Sequence, residues 1–192
     1  MTHGNVVQLV CGQAYARFEP DETFLHWSAL SFDASTLEIW GALLCGARLV
    51  VAPPRMDVLA DLPGLLRRQR VTVAFVTTSL FHELVDLDVT TFDGLRQVLV
   101  GGERLALPHA RRMVRHAREV PAAPEVINGY GPTETTTFAT WFPLRELTGT
   151  DGDVPIGRPL ARGNETVPTV VLAGKSFVNP DRAWFRERLR SS

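Results

Sequence analysis

Cysteine is scarce in this chain: Cys11 and Cys45 are the only two among 192 residues. Both lie among apolar neighbours without CxxC or Cys/His spacing, which argues against a disulfide scaffold and a Cys/His metal site and leaves free buried thiols in a reducing compartment as the expectation. An excess of one charge is missing too. With a formal net charge of −1, the sequence has no electrostatic footprint for nucleic acid or an anionic membrane surface, so neither is expected as a partner. No apolar run reaches the roughly 18 to 20 residues of a membrane span, and the N-terminus from Met1 to Asn5 has no basic and apolar leader, so a cytoplasmic protein is expected. Internal repeats, low-complexity segments, HExxH, a nucleophile elbow and paired catalytic carboxylates are all absent. His26, His82, His109 and His116 stand isolated among apolar or helical neighbours and read as structural or surface residues. The Arg-rich stretches 67–70 and 111–118 read as solvated helix faces.

What the chain does hold is enough apolar matter for a core, 45% hydrophobic against 21% charged residues, as expected for one domain or a large part of one. A helix is expected from a cap at Asn5. An apolar strand follows over 23–30, turning through Phe32-Asp33-Ala34-Ser35 into a helix over 36–45 with Ser35 as its cap and Gly46 at its end. Strands over 47–52, 71–76, 98–100 and 125–128 then alternate with helices over 59–70, from the cap Thr77-Thr78-Ser79 onward, and over 108–118. Repeated βα units with near-continuous apolar strands predict an α/β fold, a buried parallel-rich sheet with flanking helices. The residues singled out below all fall at the C-terminal ends of strands, where open α/β sheets bind ligands.

The densest stretch runs from Val126 to Thr137. Gly129 and Gly131 let another group approach the main chain, and Pro132 fixes one turn angle. Thr133, Thr135, Thr136 and Thr137 offer hydroxyls suited to phosphate oxygens, and Glu134 offers a carboxylate suited to Mg²⁺. A Gly-Pro turn capped by threonines is the plain alternative. The string Asn128-Gly129-Tyr130-Gly131-Pro132-Thr133-Glu134 resembles the NxYGPTE signature of the adenylate-forming superfamily, in the form of nonribosomal peptide synthetase adenylation domains. Phe32-Asp33-Ala34-Ser35 is similar to the FDxS motif that precedes it there, and Pro155-Ile156-Gly157-Arg158-Pro159 to the PIGRP that follows. Order and spacing agree over residues 2 to 164.

The resemblance implies a part of the large N-terminal subdomain of the adenylate-forming fold, with ATP and Mg²⁺ as cofactors. In the implied reaction ATP and an amino acid give an aminoacyl adenylate, which passes to the phosphopantetheine thiol of a peptidyl carrier protein. Residue by residue, Tyr130 is expected against the adenine with Gly101, Gly102 and Glu103 at its edge and Asn128, Gly129 and Gly131 in the same nucleotide site. Thr133 is expected on the α-phosphate, and Glu134, with Thr133, makes up the catalytic pair, Glu134 carrying the metal. Asp33 alone reads most simply as a helix cap; the resemblance makes it the ligand of the substrate ammonium group. That assignment separates amino-acid activation from an acyl- or aryl-CoA ligase, which has no amine to neutralise.

The same resemblance also marks what is not in this sequence. The Gly/Ser/Thr-rich phosphate loop with its lysine, the TGD-type aspartate, the hinge and the C-terminal lysine are missing, and from Asn164 onward the chain departs from the pattern. Residues 1–164 are expected to be a partial adenylation domain and 165–192 a divergent tail, an apolar strand and then a basic helix from Asp181. On this view the chain alone is not expected to form adenylates, a partner chain could supply the missing parts, and a noncatalytic ligand-binding remnant is the alternative. The positions that match the substrate pocket are Asp33, Ala34, Leu37, Phe75, Leu99, Gly101, Gly129, Thr137 and Phe138. One anionic end on an otherwise apolar wall rejects a charged side chain, whose unpaired burial costs several kcal/mol. The set is similar to that of valine-activating domains, with Phe75 where a tryptophan is usual. Leucine and isoleucine are near competitors, because one methylene discriminates by only about 1 to 3 kcal/mol.

Overall fold

The computed structural model describes residues 2–148, 152–161, 169–172 and 175–178. Central to it is a seven-stranded sheet in the order β2-β1-β3-β4-β5-β6-β7. Its strands are β1 (Thr23–His26), β2 (Arg48–Val51), β3 (Val73–Thr77), β4 (Gln97–Gly101), β5 (Glu125–Tyr130), β6 (Thr140–Pro143) and β7 (Arg158–Pro159). The first five run parallel. At β6 the direction reverses, so that Tyr130 faces Thr140 and Ile127 faces Pro143, and β7 then pairs antiparallel with β6. The sheet is therefore mixed, with a parallel centre. A separate hairpin pairs β8 (Thr169–Leu172) with β9 (Lys175–Val178), and the helix expected from Asp181 lies outside the described residues.

The strands are apolar on both faces because helices cover both. Every residue of β4 is buried. The period-2 alternation of a strand sends Ala74, Val76, Val98, Val100 and Val126 to one face, against Leu62 and Leu66 of α3 (Val58–Gln69), Phe81 and Leu84 of α4 (Thr78–Leu87) and Met113 of α5 (Leu107–Glu119). Val73, Phe75, Leu99 and Ile127 go to the other face, against Leu9 and Val10 of α1 (His3–Val10), Leu37 and Ala42 of α2 (Ala34–Leu43), Tyr15 and Phe138. Each fully buried Leu or Phe contributes about 1.5–3 kcal/mol relative to an exposed one, so the two layers together hold the sheet in register.

Most element ends shift by one or two residues from the sequence expectation, and at α1, α2 and β1 the difference has a local reason. The cap of α1 is Thr2, whose hydroxyl accepts from the Asn5 backbone while the Asn5 side chain returns a bond to Thr2; Asn5 is the third residue of a capping box. At α2 the N-cap position belongs to Asp33, and Ser35 instead donates its hydroxyl to the Phe32 carbonyl at 2.7 Å. Strand β1 stops at His26 rather than Leu30, because the Trp27 and Ser28 amides donate to the Glu38 carboxylate, each at 3.2 Å, instead of to a neighbouring strand.

Candidate functional site

The C-terminal ends of β3, β4 and β5 bring Thr77, Gly101 and Tyr130 to one edge of the sheet. From there the chain turns back, and the return leg lays Phe138 over two glycines. A Cβ at Gly129 would stand 2.3 Å from Phe138 Cε1, and one at Gly101 would stand 2.8 Å from the Gly129 carbonyl oxygen and 3.1 Å from the same ring. Only glycine leaves room for that ring at both places. Phe138 is 3% exposed, edge-on to Tyr15 at 5.6 Å and 6.1 Å from Phe75. Gly131 serves the turn itself, since a Cβ there would meet the Thr137 carbonyl oxygen at 2.6 Å and the Ala139 nitrogen at 2.7 Å.

Between the two legs, Thr133–Thr135 form a single 3₁₀ turn closed by the Thr135 hydroxyl on the Pro132 carbonyl at 2.7 Å. Thr136 and Thr137 follow with φ of 65° and 66°. Left-handed backbone costs an L-residue about 1–2 kcal/mol, and β-branched residues rarely adopt it. Thr135 to Ala139 are buried, whereas Thr133 and Glu134 stand exposed at the mouth. Among the described residues no group of three or more His, Cys, Asp or Glu is placed to hold a metal ion. Glu134 is an exposed carboxylate in this turn.

Across the notch lies the N-terminus of α2. Asp33 occupies its N-cap position, yet its side chain makes no capping bond, and it is half-buried. A capping aspartate has extended backbone angles; Asp33 is already helical, with φ of −66° and ψ of −21°, so its side chain is not turned back onto the first-turn amides and its carboxylate stays uncommitted among the described residues. Its carbonyl, by contrast, accepts the Thr137 hydroxyl at 2.8 Å, from 104 positions further along the chain. Ala34 and Leu37 point into the same cluster as Phe75, Leu99 and Phe138. Of the nine positions expected to line a pocket, Ala34, Leu37, Phe75, Leu99 and Phe138 share this packed cluster, Gly101 and Gly129 lie against the Phe138 ring, and Thr137 is bonded to the Asp33 carbonyl.

Glu38, one turn further along α2 and 1% exposed, fixes that helix to the end of β1. Its carboxylate accepts the Ser28 hydroxyl at 2.6 Å and the Trp27 and Ser28 amides, and lies 2.7 Å from His26 Nδ1. Burial pushes the Glu38 carboxyl above its ordinary range, and these bonds hold back part of the shift. Trp27 in turn donates its indole N–H to the Phe75 carbonyl at 2.9 Å.

Of the expected nucleotide residues, Gly102, Glu103, Tyr130 and Thr133 are exposed, whereas Gly101, Asn128 and Gly129 are buried. Tyr130 is 39% exposed. Gly102 has φ of 100° with nothing within 4 Å of where a Cβ would be, so a flat group can approach the backbone there. Glu103 is tied to the start of α4: the Thr78 hydroxyl donates to its carbonyl at 3.1 Å and the Ser79 hydroxyl to its carboxylate at 3.0 Å. Asn128 is buried, and its side-chain amide donates to the Pro155 carbonyl at 2.9 Å. The PIGRP segment is thereby drawn under the site, with Gly157 flat on the Trp141 carbonyl and the Arg158 guanidinium 4.2 Å from the Trp141 ring.

Sequence reasoning missed Glu38, Thr78 and Ser79. For Glu38 a signal existed: it stands four residues after Ala34 as the only charged residue of α2, and a lone carboxylate on a buried face needs donors. For Thr78 and Ser79 there was none, since hydroxyls at a helix start read as caps.

A model of the family described as AMP-binding enzyme matches residues 1–167. Tyrocidine synthase 3 of Brevibacillus parabrevis is 37% identical over 189 residues, 93% of this chain and 3% of that protein. Bacitracin synthase 1 of Bacillus licheniformis is 36% identical over 174 residues, 90% of this chain and 3% of that protein. The chain thus spans a few per cent of the length of these relatives. Among solved structures, holo-PA1221, a nonribosomal peptide synthetase protein with adenylation and PCP domains bound to a vinylsulfonamide inhibitor, superposes with a TM-score of 0.74 at 37% identity, covering 97% of this chain and 35% of that one. The N-terminal subdomain of Klebsiella oxytoca NpsA in complex with 3-hydroxybenzoyl-AMSN gives 0.72 at 28% identity, covering 83% of this chain and 38% of that one. No helix among the described residues is long and apolar enough to cross a membrane. With the family model over most of its length and adenylation domains as its structural neighbours, this chain belongs to the AMP-binding enzymes, in the form carried by nonribosomal peptide synthetases.

Proposed function

We propose that residues 1–164 are part of a domain that activates a branched aliphatic amino acid, valine foremost, as its adenylate for transfer to the phosphopantetheine thiol of a carrier protein, with residues 165–192 as a tail outside that site. The observation that carries this reading is Asp33: a half-buried aspartate at the head of α2 whose carboxylate caps nothing, next in the chain to Ala34 of an apolar cluster that includes Leu37, Phe75, Leu99 and Phe138. Such a rim suits an ammonium group, and such a wall suits an uncharged side chain. ATP and Mg²⁺ fit the open side, where Tyr130 presents its ring, Gly102 leaves its backbone uncovered, and Thr133 and Glu134 stand exposed for the α-phosphate and the metal. Asn128 reaches the nucleotide through the backbone it braces rather than through its amide, which is already bound to Pro155. PA1221 carries an adenylation domain together with a PCP domain, which supports a carrier protein as the partner that accepts the product.

The test is amino-acid-dependent ATP–pyrophosphate exchange, run on this chain and on PA1221 with its matching segment replaced by residues 1–164. The chimaera should prefer valine, isoleucine and leucine to lysine, aspartate and tryptophan, and Asp33→Ala should abolish exchange. A preference for charged or indole side chains, or full activity after Asp33→Ala, would refute the assignment. Binding without exchange in the chimaera would identify a noncatalytic ligand-binding module instead.

A further inference from the structure

We infer that Thr137 is a positioning residue for Asp33 and that its hydroxyl is not available to the substrate side chain. Three observations converge on it. The hydroxyl of Thr137 donates to the Asp33 carbonyl at 2.8 Å, a side-chain bond that joins the turn after β5 to the start of α2. Thr136 and Thr137 are consecutive β-branched residues in the left-handed region, a conformation that persists only where surrounding contacts over-determine it. Both are buried, so a hydroxyl at 137 needs a partner within the protein, and the Asp33 carbonyl is that partner. The same carbonyl accepts the Thr36 amide at 2.9 Å, the first bond of the helix that Asp33 leads. Fixing the carbonyl of Asp33 restrains the backbone around the Cα that carries its carboxylate.

From below, Glu38 holds the other end of this segment through Ser28 and Trp27. The start of α2 is therefore gripped on both sides while the Asp33 carboxylate itself stays uncommitted. An amine ligand needs this arrangement: the charge is free, and its place is set before the ligand arrives, which reduces the ordering required on binding. The inference rests on the reading of Asp33 as the ammonium ligand and deepens it.

The test compares Thr137→Val, which keeps the shape and removes the hydroxyl, with Thr137→Ser, which keeps the hydroxyl. Dissociation constants of L-valine and of 3-methylbutanoate, the same skeleton without its amine, are measured on the full chain by NMR titration, beside amide hydrogen exchange at Thr36 and Leu37. A loss of general packing weakens both ligands alike, whereas misplacement of Asp33 lowers the preference for valine over 3-methylbutanoate. The expected result is a fall in that preference of about fivefold in T137V, the worth of one hydrogen bond, with faster exchange in the first turn of α2 and recovery of both in T137S. An unchanged preference in T137V, or a T137S protein that behaves like T137V, overturns the inference. If the unaltered chain and Asp33→Asn show no preference for the amine, it is the reading of Asp33 as ammonium ligand that fails; exchange at Thr36 then decides the positioning role by itself, faster in T137V supporting it and unchanged overturning it.

Discussion

Replacing Gly129 by alanine tests the packing of the notch with a single methyl group. That methyl would lie 2.3, 2.5 and 2.7 Å from Cε1, Cζ and Cδ1 of Phe138, where carbon atoms ordinarily approach to about 3.5–4.0 Å. The ring would have to move by about an ångström, and it is enclosed by Tyr15 and Phe75. Overpacking of this kind costs about 1–3 kcal/mol. The obstacle is a side chain, so a smaller one should remove it: in a Phe138→Leu background, Gly129→Ala should cost close to nothing, giving a favourable coupling of about 1–3 kcal/mol in the double-mutant cycle. Gly157→Ala is the control. Its methyl would lie 1.9 Å from the backbone oxygen of Trp141 at a φ of 79°, so no substitution at Phe138 should rescue it. Urea unfolding of the four proteins, read as midpoints at constant m, reports the cycle. Equal cost of Gly129→Ala in both backgrounds would show that the ring is not what makes glycine necessary.

Three further predictions concern the groups that brace the site. Burial raises the pKa of Glu38, so folding favours its protonated form; that stabilisation is complete below the unfolded value of about 4.3 and is lost as pH rises through the higher folded one. Stability of the unaltered protein relative to Glu38→Gln should therefore decline over that rise, and parallel pH profiles would contradict it; Glu38→Ala, which strands the Ser28 and Trp27 donors, should cost about 1–3 kcal/mol more than Glu38→Gln at the same pH. Glu22 has the opposite sign: burial raises its pKa, but bonds from Thr72, Arg17 and Arg96 outweigh it and the net shift is downward. Its contribution is present above the ordinary carboxylate range and lost as pH falls through the lowered value, so the deficit of Glu22→Gln at pH 7 should close on acidification in thermal melts, and a deficit that persists in acid would refute the assignment. Asn128→Ala frees the Pro155 carbonyl and should cost about 1–2 kcal/mol, with the amide hydrogens of Thr140, Trp141 and Arg158 exchanging faster; a neutral effect on both would show that the PIGRP segment is held by other contacts.

The centre of the fold was legible because β3 and β4 sit between two helical layers and carry the apolar runs Val73–Val76 and Val98–Val100; no tertiary contact was needed to find them. The end of β1 was not, because whether Trp27 and Ser28 extend a strand depends on a carboxylate from the next helix. Asn5 reads as a cap in the sequence because a capping box places suitable residues at both of its ends. Thr78 and Ser79 lead a helix, so their hydroxyls read as caps; the partner they use, Glu103, is brought to them only by the β3–β4 pairing. At Asp33 residue chemistry alone favoured capping, and only the folded chain shows the cap bond missing. The run Thr135-Thr136-Thr137 offered hydroxyls for phosphate in the sequence, but the turn after Glu134 carries all three inward, a reversal that no local pattern announces.

That reversal gives the segment between Tyr130 and Thr140, whose two ends are paired across the antiparallel strands, a division of labour. Its outgoing half, Thr133 and Glu134, faces water, and its returning half, Thr137 and Phe138, faces the core. A change at Phe138 reshapes the interior through neighbours such as Tyr15 and Phe75 without altering the groups at the mouth four residues earlier. The packing of the inward half can thus change without changing which groups stand at the exposed edge, provided the hairpin keeps its length. One inserted residue would slide the inward half out of step with Gly129 and Asp33, so this loop should tolerate substitution far better than insertion.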